Sequence, residues 1–345
     1  MRFKGAALLA GLATLVMAGC GSGGDTASNS SSASGTSAGG GTDSSKKALT
    51  IAVIPKGSTH EYWKSVKAGA DAAGKELGVT IQFKGPLKED DKVDQIKTVE
   101  DFTTAKVDGI VLAPLDDQAL VKPVHEAVGQ TIPVVIIDSA LKSTEFVSFV
   151  STDNEKGGAM AGEEMVKELG DKGSIIVLRY QKGSASTDER EKGFLDVIAK
   201  HPGIKVLSSN EEAGSTVDSA QKKSESLLGA FKNPDGSLQA QGIYCPNESS
   251  TFGMLRVLEE NKWAGKVKFV GFDSSPKLIE GLTAGEINAL VVQDPYNMGY
   301  QSVKTVVAAI NKKTVEKRID TGATLVTKAN MGEEKIAKLI NPPKE

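Results

Sequence analysis

From Leu49 onward, short runs of apolar and β-branched residues alternate with stretches whose apolar positions recur at helical spacing, and this alternation limits the chain to few folds. The first run, LTIAVI (49–54), leads into a segment in which Trp63, Val66, Ala70, Ala73 and Leu77 share one helical face. VTIQF (79–83), DGIVLAP (108–114) and IPVVIID (132–138) follow, each separated by a helical pattern. Continuous apolar runs suit strands buried on both faces, as in a parallel sheet covered by helices. The first half therefore predicts one doubly wound sheet.

After FVSFVSTDN (146–154) and a helix around Ala159 to Leu169 the pattern starts again, with SIIVLRY (174–180), IKVLSS (204–209), GIYCPN (242–247), VKFVGFD (267–273) and NALVVQD (288–294). The second half repeats the first. A length of 345 residues, 39% of them hydrophobic, is enough for two such units at the usual ~100 to 200 residues each. The expected fold class is α/β, with two similar doubly wound parallel-sheet lobes. Sheets of this kind bind ligands beyond the carboxyl ends of their strands, so residues just after the apolar runs are the candidates for function.

Composition and motifs exclude several functions. Forty-one basic against 44 acidic residues give a formal charge of −3, without the clustered basic excess of a nucleic-acid binder. No G-x-G-x-x-G follows a strand and no phosphate-binding G-x-x-x-x-G-K-[ST] is present, so no nucleotide cofactor is expected. His60, His125 and His201 stand in no metal-ligand or hydrolase spacing; no metal is expected and no catalytic role is assigned, although a Ser/His/Asp arrangement assembled only by folding stays open. Cys245 is expected to be a buried packing residue of its strand.

The strand ends concentrate polar and aromatic residues. Tyr62 and Trp63 open a helix after the first strand, preceded by a polar loop that includes His60, and aromatic faces there could sandwich a flat, hydroxyl-rich ligand. Trp63 also falls on the apolar helical face, so core packing is its competing role. Asp138, Asp273 and Gln293 each end an apolar run, and Asn247 ends a fourth; buried carboxylates there need partners, while helix capping is the plainer use of Asp and Asn. Arg190 lies in DEREKGF (188–194), where a solvated charged face is the alternative, and Asp116, Asp117 and Gln118 read as a capping cluster. Carboxylates, amide and guanidinium mixed with aromatics match polyol hydroxyls, each of which donates and accepts.

The first 46 residues differ from the rest. Arg2 and Lys4 precede an apolar run of 14 residues, Gly5 to Ala18, shorter than the ~18 or more that a membrane span requires. Residues 1–19 are thus expected to be an export signal. Met17-Ala18-Gly19-Cys20 resembles the lipobox of bacterial lipoproteins, with Met17 in place of the usual Leu, which implies lipidation at Cys20. Of the 25 residues from Gly21 to Ser45, 7 are Gly and 9 are Ser, the composition of a flexible tether, so residues 20–46 are read as lipidated cysteine and linker. Loss of Arg2 and Lys4 with the signal leaves 39 basic against 44 acidic residues, so attachment to an anionic membrane would rest on the lipid.

YWKSVKAGA (62–70), IPVVIID (132–138), STDNEKGGAMAGE (151–163), EREKGF (189–194) and VGFDSSP (270–276) carry a resemblance, over nearly all of residues 47–327, to the periplasmic sugar-binding proteins of ABC importers, in particular the ribose-binding group and its LacI-like relatives. The resemblance implies the type I periplasmic-binding-protein fold: two lobes joined by a three-crossover hinge, here 47–152 with 294–322 and 153–293 with 323–345, closing on a ligand in the cleft, a motion typical of such proteins. It places ring-stacking aromatics at Tyr62 and Trp63, a loop hydrogen-bonding residue at His60 and the first-lobe carboxylate at Asp138. In the second lobe it places the arginine at Arg190, the amide at Asn247, the aromatic-acid pair at Phe272 and Asp273, and the hinge-side glutamine at Gln293. Three positions depart: Ala113 and His60 each stand where ribose binders have an asparagine, and Ser139 replaces an arginine. Two lost hydrogen bonds to charged or polar partners would weaken ribose by roughly 10² to 10⁴, and the smaller side chains are expected to leave room for a hexose, a cyclitol or a modified sugar.

The implied function is a lipid-anchored, monomeric receptor outside the cell membrane or in the periplasm that delivers a sugar or polyol to a permease with an ATPase, with no cofactor and no nucleic-acid partner. The alternative is a sensory receptor presenting a bound signal to a chemoreceptor or kinase. A LacI-type repressor would need an N-terminal helix-turn-helix where this chain has a signal and tether.

Overall fold

The computed structural model describes residues 48–342; Cys20 and the expected signal and tether lie outside them. The chain begins with β1 (Thr50–Ile54), α1 (Glu61–Leu77), β2 (Thr80–Phe83), α2 (Lys92–Thr104), β3 (Gly109–Leu112), α3 (Val121–Gly129), β4 (Val134–Ile137) and β5 (Ser148–Ser151). It continues with α4 (Asn154–Leu169), β6 (Gly173–Arg179), α5 (Ala185–Ile198), β7 (Ile204–Glu212), α6 (Val217–Ala230), β8 (Gly242–Tyr244), α7 (Glu248–Glu260), β9 (Lys268–Phe272), α8 (Pro276–Ala284) and β10 (Ala289–Gln293). The last elements are α9 (Pro295–Ile310), β11 (Arg318–Asp320), β12 (Ala323–Thr327) and α10 (Glu334–Ile340). Each of the ten apolar runs contains one strand. The two short strands near the C-terminus were not evident in the sequence, because β11 has only three residues and is largely exposed, without a buried apolar signature.

Two sheets result, ordered β2-β1-β3-β4-β5-β11 and β7-β6-β8-β9-β10-β12. They are the same arrangement used twice. β11 joins its sheet parallel to β5, whereas β12 runs antiparallel to β10. The chain passes from the first sheet to the second after β5, returns after β10 and crosses again between β11 and β12. This is the arrangement the resemblance implies, two similar lobes joined by three crossovers.

Each sheet is buried on both sides. In β1, Ile51 and Val53 face one apolar cluster while Ala52 and Ile54 face another, and β4 divides in the same way, with Val135 and Ile137 opposite Val134 and Ile136. Complete burial of a Val or Ile side chain is worth ~1.5 to 3 kcal/mol, which is why apolar continuity rather than alternation marked these strands. Cys245 is fully buried beside β8, in the core of the second sheet, as expected.

Helix pairs approach closely where glycine allows it. A Cβ on Gly69 of α1 would lie 1.9 Å from the carbonyl oxygen of Tyr296 in α9, and one on Gly158 of α4 would lie 1.9 Å from that of Arg190 in α5. In each sheet the strand order turns back beside its first strand, β1 or β6, and the loops there diverge to leave a crevice.

Candidate functional site

Asp138 and Asp273 occupy equivalent places, one residue past β4 and β9. Both adopt left-handed backbone conformations, with φ of 61° and 69°, which Asp tolerates better than most residues. Their N–H groups donate to Val150 O (3.2 Å) and Val291 O (2.8 Å) of the neighbouring strands, so the backbone turn is anchored while each carboxylate projects beyond its sheet. Asp138 pairs with Lys56 Nζ at 2.7 Å, accepts from the Tyr62 hydroxyl at 3.1 Å and has Arg190 Nη2 at 4.0 Å. Asp273 accepts from Gln293 Nε2 (2.7 Å) and from the Glu248 N–H (3.0 Å). Burial pushes the Asp273 carboxyl above the usual carboxylate range, against the pull of Arg190 and Gln293.

The start of α1 supplies the aromatic wall. Tyr62 and Trp63 are buried and meet edge to face, with centroids 4.9 Å apart. Core packing, the competing role read for Trp63, is what its ring does, while its indole N–H donates to Glu89 Oε1 at 2.6 Å. Glu89 also takes His60 Nδ1 at 2.8 Å and the Tyr180 hydroxyl at 2.7 Å. Burial alone would lower the His60 pKa, but Glu89 outweighs it and raises it to about 9; burial works to raise Glu89, yet His60 and Lys56 bring it down to about 2. The two form a buried ion pair under the aromatic wall.

Arg190, on α5, is buried rather than solvated. Its Nε donates to Asn154 Oδ1 (2.9 Å), its Nη1 donates to Pro246 O (3.0 Å), and the Phe272 ring lies 4.0 Å beneath the guanidinium. Asn247 caps α7 through Oδ1, which accepts from Ser250 N at 3.2 Å, and its Nδ2 faces Ser249 Oγ at 3.1 Å. Capping and cavity lining coincide in Asn247. Asp116 accepts from Gln118 N and Ala119 N and pairs with Lys92, but it closes the turn ahead of α3 rather than capping the helix as expected, because the N-cap position falls on Leu120, which makes no side-chain cap bond.

His60, Tyr62, Trp63, Asp138, Arg190, Asn247, Asp273 and Gln293 surround one cavity of about 30 Å³ between the two sheets. Phe272 is not among the lining residues; it is fully buried behind Arg190, where it props the guanidinium. Sequence reasoning missed Lys56, Glu89, Tyr180, Ser184, Ser186, Thr187 and Glu248, which complete the lining. Lys56 directly follows Pro55 after β1, a strand-end signal that could have found it; Glu89 sits in a charged run, KEDD, that reads as solvated loop. Glu89 is nevertheless 5% exposed, because three donors converge on it.

The departures at Ala113 and Ser139 acquire a physical account. Ala113 is fully buried, and Ser139 Oγ accepts from Ser186 N of the other lobe at 3.0 Å. The positive charge beside Asp138 comes instead from Lys56, which also reaches Ser186 Oγ at 2.9 Å. The room expected from the smaller side chains is therefore occupied by a cross-cleft network. Among the described residues, two buried polar atoms of the cavity wall have no hydrogen-bond partner: Arg190 Nη2, a donor, and Gln293 Oε1, an acceptor.

Residues 51–314 match a family model described as periplasmic binding protein domain. The chain is 27% identical over 274 residues to the D-allose-binding periplasmic protein of Escherichia coli (strain K12), covering 77% of this chain and 86% of that one. It is 27% identical to the ribose import binding protein RbsB of the same organism, covering 81% and 90%. A carbohydrate transporter solute-binding protein from Agrobacterium radiobacter, solved in complex with D-arabinose, superposes with a TM-score of 0.81 at 38% identity, covering 86% of this chain and all of that one. A solute-binding protein from Agrobacterium vitis with bound D-fucose gives 0.80 at 36% identity, covering 84% and 99%. These relatives are solute-binding proteins of transporters and not enzymes. With a family model matched across both sheets and a cavity enclosed between them, the chain belongs to the periplasmic binding protein domain family.

Proposed function

We propose that this protein captures a sugar or sugar-like polyol between its lobes and hands it to the permease of an ABC importer. The observation that carries the reading is the pair of buried atoms in the cavity wall that make no hydrogen bond, Arg190 Nη2 and Gln293 Oε1, one able only to donate and the other only to accept. A hydroxyl satisfies either, and leaving such groups unmade costs ~1 to 3 kcal/mol each. Lys56, His60 and Arg190 face Glu89, Asp138 and Asp273, and the fourth carboxyl of the lining, Glu248, is pushed up to about 7 by burial, so the wall carries little net charge, which suits a neutral ligand. Tyr62 and Trp63 supply apolar area for the C–H face of a ring.

The lobes in this reading are residues 47–152 with 294–322 and 153–293 with 323–345, closing about the three crossovers. Little space remains in the closed cleft, room for about two waters, so a ligand takes over bonds that Lys56, Tyr62 and Asp138 now make with one another. The relatives whose names record D-allose, ribose, D-arabinose and D-fucose set the first panel. Calorimetry against those sugars, D-tagatose and inositols tests the proposal: at least one should bind tightly with ribose weaker than the best, and no heat from any of them would overturn it. Export, lipid attachment at Cys20 and a monomeric state complete the proposal.

A further inference from the structure

Helix α1 presents Tyr62 and Trp63 in its first turn, yet it begins without a cap of its own. His60 occupies the N-cap position in an extended conformation, with its side chain turned to Glu89 and making no capping bond. The first N–H groups of a helix need acceptors from outside it. Here the N–H groups of Glu61 and Tyr62 donate to Glu248, at 3.2 Å to Oε1 and 3.1 Å to Oε2. Glu248 is the first residue of α7, on the second sheet, and its own N–H is the donor to Asp273. One buried residue thus joins the start of the aromatic wall to the second-lobe carboxylate.

We propose that Glu248 is a positioning residue that caps α1 from the opposite lobe only in the closed cleft, locking Tyr62 and Trp63 in place. The inference rests on the reading that the lobes open and close. Once they separate, α1 and α7 move with different sheets, the two capping bonds break and the Glu248 carboxyl returns to water. In the closed cleft it faces His60, Glu61 and Lys64 from the α1 side and Asp273 from the end of β9. Burial, aided by Asp273, raises its pKa from 4.5 to about 7, against the pull of His60 and the two N–H groups.

The closed state therefore binds more protons than the open one between these two values. That contribution to closure is complete below the open-state pKa and is lost as pH rises through about 7. The pair of His60 and Glu89 lies wholly in the first lobe and does not need closure to form.

The test reads the capping bonds directly. Hydrogen-exchange protection of the Glu61 and Tyr62 amides, measured by NMR on the full chain without ligand and corrected for intrinsic exchange, should be about tenfold or more higher at pH 5.5 than at pH 8. In Glu248→Gln, which keeps an acceptor but cannot ionise, protection should be the same at both pH values. In Glu248→Ala it should be lost at both, while the Ala70 amide in the middle of α1 stays protected and reports that the fold is intact. Wild-type protection that does not change with pH, or protection retained in Glu248→Ala, overturns the proposal. Failure of every sugar to bind in calorimetry, with the amides behaving as stated, would overturn the ligand reading and leave the latch standing.

Discussion

Asp138 and Asp273 hold matching positions in the two halves but different partners, and that difference divides the expected energetics. Asp138 is neutralised by Lys56 at 2.7 Å, whereas Asp273 relies on Gln293 and a backbone N–H, with its carboxyl raised by burial. Asp273→Ala should weaken ligand binding by ~2 to 4 kcal/mol, because it removes a charged acceptor and strands Gln293 and the Glu248 N–H in a closed cleft. Trp63→Ala should cost less, ~1 to 2 kcal/mol, the share of a large aromatic surface that a ring ligand can cover. Calorimetry with the best-binding sugar ranks the two, and wild-type affinity in Asp273→Ala would reject this assignment. The buried pair beneath them predicts a pH effect on stability. His60 is raised to about 9, so its contribution is full below pH 6.5 and disappears as pH climbs through 9; Glu89, lowered to about 2, contributes fully above pH 4.5 and fails as pH falls toward 2. Thermal melts from pH 6.5 to 9.5 should show a fall in Tm that is smaller in Glu89→Gln, since that variant has already lost the pair.

At the level of elements, the helices that carry the site are placed by glycine contacts. Gly158 and Gly193 let α4 and α5 touch, with Gly193 Cβ space 2.0 Å from Glu155 O, and Gly69 and Gly299 do the same for α1 and α9. The contact at Gly158 falls on the carbonyl of Arg190 itself, so a methyl there must displace the backbone that carries the cavity's guanidinium. Gly158→Ala should destabilise the fold by ~1 to 3 kcal/mol and weaken ligand binding as well. Gly242→Ala, whose methyl would meet Met165 Sδ at 2.5 Å, with neither residue in the cavity lining, should lose stability while keeping affinity. Denaturant melts and calorimetry on both variants separate the effects; equal loss of affinity in the two would show that general destabilisation, not Arg190, is responsible.

For the whole molecule, the proposed closure is what joins these parts. Lys56 to Ser186, Tyr180 to Glu89, Ser186 to Ser139, Ser215 to Asp90 and Glu248 to the α1 start are all bonds between residues of different sheets. A ligand can shift the lobes only by its differential affinity for the closed state. Small-angle scattering should show a smaller radius of gyration with saturating sugar, and an unchanged radius would count against closure. Attachment is a separate question at the same scale. Metabolic labelling with a fatty-acid analogue should mark the wild type and not Cys20→Ala, and label retained by the variant would sink lipidation at that residue.

The repeated apolar runs and helical faces were legible in the sequence because local burial dictates them, and they were enough to predict two similar parallel sheets. Strand-end position was enough to single out Asp138, Asp273, Asn247 and Gln293, since a doubly wound sheet delivers such residues to one edge. Nothing local distinguishes Glu89 from a solvated loop carboxylate, or Glu248 from an ordinary first-turn glutamate. Their roles exist only because Trp63, His60 and Tyr180 converge on one and the uncapped start of α1 meets the other, with partners between 26 and 187 residues away along the chain. Periodicity encodes which face of an element is buried; which polar groups from distant segments meet inside the cleft is decided by tertiary packing, because desolvation and pairing depend on neighbours that the local sequence does not specify.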